Sequence, residues 1–240
     1  TVTLPSGGEP AVVRLHLTPE ISGPRVYRFY VPVQEGEAVE PNNRREVLAT
    51  VVDRREKILY IEGHPRFEVK FLRRAVADDE LLQVVTLQRT AENKFLRLSV
   101  DDADELAGGF PTTRQDLFQY RGIILGSVGA GFFTPDQLRM ISDFVSQRGG
   151  SLLMLGGPES FAEGDYAGTP VADVLPVVLE DDQAIGGNFL TELTVRTTPA
   201  GEGHAALQLA PDTAGQERDF SSLPRLSTLN PVREVKPGAT

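Results

Sequence analysis

Glu62, His64 and Arg66 stand together at the end of an apolar run, Lys57 to Ile61. A carboxylate, an imidazole and a guanidinium at that spacing could move a proton, orient a water or hold an anion. Glu159 adds a second carboxylate on the turn Gly156-Gly157-Pro158-Glu159-Ser160-Phe161, which follows another apolar run, Ser151 to Leu155. Acid–base hydrolysis on Glu62, His64 and Glu159 needs no covalent intermediate, only a general base and a placed water. Each residue also has a plainer reading. A histidine before a proline is commonly a hydrogen bonder that stabilises its own loop, and Glu62 and Arg66 can form an ion pair across the turn.

Covalent chemistry finds less support. The chain has no cysteine, which removes thiolate nucleophiles, thiolate metal sites and disulfides together. Ser127 has Leu125 where a Gly-x-Ser-x-Gly elbow needs its first glycine, and Ser160 has Pro158 and Ala162 at the two glycine positions. The run Gly126-Ser127-Val128-Gly129-Ala130-Gly131 leads into a helix start that could face an anion. Its spacing fits neither the dinucleotide fingerprint nor the P-loop, so it reads as a structural loop. Asp101-Asp102-Ala103-Asp104-Glu105 lacks the spacing and central glycine of a calcium loop. It reads as a solvated acidic loop, as does Glu180-Asp181-Asp182. No metal and no cofactor are expected.

Composition bounds the partners. The 240 residues are 40 % hydrophobic, enough for a real core, and the net charge of -10 repels nucleic acid. No stretch approaches the roughly 18 apolar residues of a membrane span, and no signal peptide opens the sequence. Both ends have the look of cuts in a longer protein, with Lys236-Pro237-Gly238-Ala239 closing on neither a helix nor a polar tail.

Two regions position these residues. Residues 1–53 read as β: Ala11, Val13, Leu15 and Leu17 alternate with Val12, Arg14 and His16, and Val26 to Val33 and Val47 to Val52 make two more strands around a polar turn at 36–43. They suggest the last antiparallel strands of a partial immunoglobulin-like sandwich. Residues 54–240 read as α/β. Strands are expected at 57–61, 82–87, 122–126 and 151–155. A helix starts near Arg66 with Phe67, Phe71, Leu72, Ala75 and Val76 on its buried face. Another is opened by Thr134-Pro135-Asp136-Gln137 and closed by Gly149-Gly150. Strand order 3-2-1-4 would reverse the chain between the first and fourth strands, setting Glu62, His64 and Arg66 opposite Gly156, Gly157 and Ser160, with Ser127 and Gly129 at the same sheet edge.

Several of these segments resemble a known family. Ile58-Leu59-Tyr60-Ile61-Glu62-Gly63-His64-Pro65-Arg66, Phe144-Val145 before Gly149-Gly150, Leu155-Gly156-Gly157 with Phe161, and Thr169-Pro170 before Val174-Leu175-Pro176 are similar to the glutamine amidotransferase-like domain of large bacterial membrane-anchored proteins. Those proteins often carry von Willebrand A-type and immunoglobulin-like domains. The resemblance covers about residues 56–240. It implies a class I amidotransferase-like, flavodoxin-like three-layer α/β sandwich with a mainly parallel sheet, in a soluble domain of a cell-envelope protein.

Active members of that class place a cysteine on a Gly-x-Cys-x-Gly elbow with a downstream His and Glu. In this chain the elbow position falls near Gly156-Gly157-Pro158, without a cysteine. The downstream histidine, His204, has no carboxylate two residues on. The expected function is therefore a non-catalytic module that binds a protein partner or small polar ligand, with no nucleic acid partner and with membrane attachment only through segments elsewhere. The competing expectation is an enzyme using Glu62 and His64 in place of a cysteine.

Overall fold

The computed structural model describes residues 21–34, 36, 37, 39, 41–51, 55–91, 94–179, 192–202, 204, 207, 209 and 220–239, with 15, 17 and 19. It divides into two units, Thr1–Arg54 and Arg55–Thr240.

In the first unit, β-branched and aromatic residues give two strands, β1 (Gly23–Tyr30) and β2 (Arg44–Val51), paired antiparallel with Val26 opposite Leu48. A 3-10 turn at Pro41–Asn43 precedes β2, and the Asn43 amide donates to Glu37 at 2.9 Å. The strand expected over residues 11–17 lies outside the described residues apart from Leu15 and Leu17, both exposed.

The second unit is built on a five-stranded sheet in the order β5-β4-β3-β6-β7. Its strands are β3 (Glu56–Glu62), β4 (Leu82–Ala91), β5 (Lys94–Leu98), β6 (Gly122–Leu125) and β7 (Ser151–Met154). All neighbours are parallel except β4 and β5, which are antiparallel. The apolar runs at the centre are buried on both faces, as a parallel sheet requires. Helices cover each face. On one side Val69 of α1 (Phe67–Ala75) packs with Tyr60, Val84 and Ile124. On the other, Leu117 of α2 (Arg114–Phe118), Leu138, Ile141 and Phe144 of α3 (Pro135–Ser146) and Val171 of α4 (Pro170–Val174) pack on Leu59, Ile61, Val85, Leu87, Ile123 and Leu125. This is a flavodoxin-like three-layer α/β fold. A small ribbon, β8 (Val177–Val178) with β9 (Glu234–Val235), and a short helix α5 (Pro199–Glu202) follow.

α3 starts as its sequence dictates. The Thr134 hydroxyl accepts from the Gln137 N–H at 3.2 Å, the Gln137 side chain accepts from the Thr134 N–H at 2.9 Å, and Pro135 occupies the first turn. Gly149 ends the helix with φ +74°, a left-handed conformation that glycine adopts without penalty.

Two expectations are corrected. The strand order is 2-1-3-4 for the four parallel strands, not 3-2-1-4. β5 forms a tight hairpin with β4 and occupies its outer edge, so β6 must cross back to the free edge of β3. The switch in chain direction therefore falls between β3 and β6. The buried stripe of α1 differs in part: Leu72 and Val76 pack toward the sheet, but Phe67, Phe71 and Ala75 are exposed and Val69 is buried instead. Arg66, at the N-cap, reaches back to Glu62 in the sheet, and the Val69 stripe rather than the phenylalanine stripe meets the apolar residues Tyr60, Val84 and Ile124.

Candidate functional site

At a switch point the loops after the two flanking strands diverge and leave a crevice at the carboxyl ends of the strands. In this chain those loops are the β3–α1 turn and the Gly126–Phe133 segment after β6, with the turn after β7 lying beside them. The crevice is organised around Glu62. Its carboxylate is completely buried. Oε2 accepts from the Tyr60 hydroxyl at 2.8 Å and from Arg66 Nε at 3.0 Å, and Oε1 accepts from the Ser127 N–H at 2.9 Å and the His64 N–H at 3.4 Å. Arg66 Nη2 lies 3.0 Å from the same Oε2, an ion-pair contact without hydrogen-bond geometry, and Nη1 donates to the Gly156 carbonyl at 2.8 Å. A buried carboxylate persists only when paired and hydrogen-bonded in this way. Burial pushes the Tyr60 phenol well above its ordinary range, reinforced by the hydrogen bond and charge of Glu62. It therefore stays a donor to the carboxylate at neutral pH.

The turn after β7 is tied into the same web. The Glu159 N–H donates to Ser127 Oγ at 3.0 Å, and Ser160 Oγ donates to the Gly126 carbonyl at 3.2 Å. Both serines are fully buried. The three turns approach so closely that glycine is needed. A Cβ on Gly63 would lie 2.2 Å from the Ser127 carbonyl oxygen, one on Gly126 2.3 Å from Glu62 Oε2, and one on Gly157 2.8 Å from the Ser127 side chain. Gly156, Gly157 and Ser160 thus lie beside Glu62, Arg66 and Ser127. Gly129 does not: its nearest neighbour across the loop is the Gly164 carbonyl, away from the carboxylate.

The imidazole of His64 and the carboxylate of Glu159 meet at the rim, Nε2 to Oε1 at 3.0 Å, with side chains 55 % and 44 % exposed. His64 therefore touches Glu62 only through its backbone, and its side-chain partner comes from the other turn.

Sequence reasoning did not reach Asn230. Its Oδ1 accepts from the Gly157 N–H at 2.9 Å, and its Nδ2 donates to the Gly157 carbonyl at 2.9 Å and to Glu163 at 3.0 Å. It pins the turn after β7 as a paired strand would. A lone asparagine 73 residues along the chain carries no signal of this. Replacing Asn230 with alanine should lower stability by about 1 kcal/mol, the net worth of a part-buried hydrogen-bonded side chain. It should also speed hydrogen exchange at the amides of Gly157 and Ser160, and exchange read by NMR checks both.

Elsewhere the acidic loop at 101–105 is bound to the domain rather than open. Glu105 accepts from Lys57 at 2.9 Å and from the Tyr120 hydroxyl at 2.8 Å, and Asp101 accepts from Gln83 at 2.9 Å. Glu180 to Asp182 lie outside the described residues. Among the described residues no group of His, Asp or Glu could hold a metal ion, and no helix is long and apolar enough to cross a membrane.

Order, parallel sense and crevice define a flavodoxin-like α/β domain. A family model described as "Putative glutamine amidotransferase" matches residues 82–187, and that stretch is similar to it. The matched residues include both turns that close on Glu62, while Glu62, His64 and Arg66 precede them. Comparison with curated proteins and with solved structures gives no match.

Proposed function

We propose that this is a non-catalytic amidotransferase-like module that binds a polar ligand or protein partner at the crevice rim, within a bacterial cell-envelope protein. The observation that supports it most is the saturation of the crevice. The residue on the central turn after β6 is Ser127, buried and bonded through Oγ to the Glu159 N–H. Its φ is not in the left-handed region, so it does not sit on the strained turn that projects a nucleophile. Glu62 has its lone pairs filled by four donors. A general base needs a free lone pair aimed at a substrate proton, and Glu62 offers none. His64 and Glu159 remain at the rim, where an exposed pair suits recognition of a polar group. The envelope setting, and an immunoglobulin-like character for the first unit, rest on the family resemblance.

The contact between His64 and Glu159 favours a second reading. A histidine paired to a carboxylate and open to solvent can activate a water, giving hydrolysis without a covalent intermediate. Thermal unfolding against glutamine, nucleotides, sugars, short peptides and divalent metals, with analysis of each compound afterwards, separates the two. Binding at a hundred times the dissociation constant adds about 2.7 kcal/mol, which raises the midpoint by roughly 5–10 °C. The binding reading expects a shift, lost in His64→Ala, with the compound recovered intact. Conversion of the compound, also lost in His64→Ala, would establish the hydrolytic reading instead.

A further inference from the structure

A groove of about 500 Å³ runs along α1, lined by Pro65 and Arg66 at its start, by Lys70, Arg73 and Arg74 of the helix, and by Gln88 of β4 and Leu98 of β5. No carboxylate lines it. Arg66 is committed to Glu62, but Lys70, Arg73 and Arg74 make no ion pair among the described residues; the nearest to a polar tie is Arg73 on Ser99 Oγ at 3.4 Å. Three cations without an ion pair along one helical stripe stand out in a chain of net charge -10. The helix dipole favours basic residues in the last turn, which accounts for Arg73 and Arg74. It does not account for Lys70, nor for the adjoining stripe, where Phe67 and Phe71 are 76 % and 62 % exposed one turn apart.

Two exposed aromatic rings on the helix stripe next to the groove add an apolar patch beside its row of cations. A small anion would satisfy the cations and leave the phenylalanines bare. Single-stranded nucleic acid could use both, but the overall charge opposes it. We infer that this face of α1 docks an acidic peptide segment of a partner protein, one that carries apolar side chains alongside its carboxylates. The segment's carboxylates pair with Lys70, Arg73 and Arg74, which recur at the spacing of neighbouring helix positions. Its apolar side chains cover Phe67 and Phe71, and aromatic anchors of this kind supply most of the affinity at protein interfaces. The inference is independent of whether the rim binds or hydrolyses.

The test is fluorescence anisotropy with a labelled peptide of alternating Glu and Leu, set against its Lys–Leu counterpart, an all-Glu peptide, inorganic diphosphate and a single-stranded oligonucleotide. The Glu–Leu peptide should bind saturably, more weakly as salt rises, and the Lys–Leu peptide should not. Lys70→Glu/Arg74→Glu and Phe67→Ser/Phe71→Ser should each weaken it by roughly tenfold or more. All four positions are exposed, so both variants should fold, with an unfolding midpoint within roughly 2–4 °C of the parent's, which allows for a carboxylate placed in the last helical turn. Three results would overturn the inference: no saturable binding of the Glu–Leu peptide, an affinity unchanged in either double variant, or tighter binding of diphosphate, all-Glu peptide or oligonucleotide with the phenylalanine variant silent.

Discussion

Replacing Glu62 with alanine is expected to cost this domain about 3–5 kcal/mol, the loss that follows when one member of a buried ion pair is removed. In a domain of this size that lowers the unfolding midpoint by roughly 6–20 °C. The reason is the number of groups left behind. The Arg66 guanidinium would lose its partner while largely buried, and the Tyr60 hydroxyl and the Ser127 N–H would each lose their acceptor. Glu62→Gln should fall between alanine and the parent. It keeps the volume and one carbonyl acceptor, but it sets an amide donor against the donors of its neighbours. Thermal unfolding of the three proteins checks the order. A residue serving only as a catalytic base would give the opposite pattern, since freeing a buried charge from its site usually leaves stability unchanged or improved.

The second large effect is Gly63→Ala. The new methyl group would stand 2.2 Å from the Ser127 carbonyl oxygen, and its other near neighbours are also backbone atoms of residues 127 and 128. No side chain can swing aside. The Gly63 N–H donates to that same carbonyl at 3.0 Å, so separating the turns breaks a hydrogen bond as well. We expect a loss of about 3 kcal/mol, at the upper end of overpacking costs. Gly131→Ala, where a Cβ meets nothing within 4 Å, should be close to neutral and serves as the control in the same loop cluster.

Much of this unit was legible in the sequence because its signals are local. The apolar runs that became β3, β4, β6 and β7 and the Thr134-Pro135-Asp136-Gln137 start of α3 depend on neighbours within a few residues. What was not legible depends on pairing. The strip Lys94–Leu98 carries two charges in five residues and gives no strand signal, yet as an edge strand it needs only one buried face. Without it the edge of β4 stays open to β6, which places the crevice between the wrong strands. The rotation of α1 failed for a related reason. Counting apolar residues favours a face containing Phe67 and Phe71 beside Leu72 and Val76, whereas the sheet below takes Val69 with Leu72 and Val76.

The site was legible as a set of residues but not as a set of roles. Glu62, Arg66, Ser127 and the turn from Gly156 to Ser160 do come together. Their composition did not reveal that they would consume one another's hydrogen-bonding capacity. That follows from glycines at positions 63, 126 and 157, which let three backbones close on one carboxylate. The pairing of His64 with Glu159 rather than Glu62 likewise follows from the distance between turns, which no spacing in the sequence encodes.

The central proposal is that the crevice around Glu62 is a structural lock with a binding rim. The most direct measurement is release of ammonia and glutamate from L-glutamine by the full chain, run beside His64→Ala and Glu159→Ala. The account predicts no release above the rate without protein, in any of the three. Turnover by the parent chain that disappears in either variant would contradict it and make the rim pair a catalytic one.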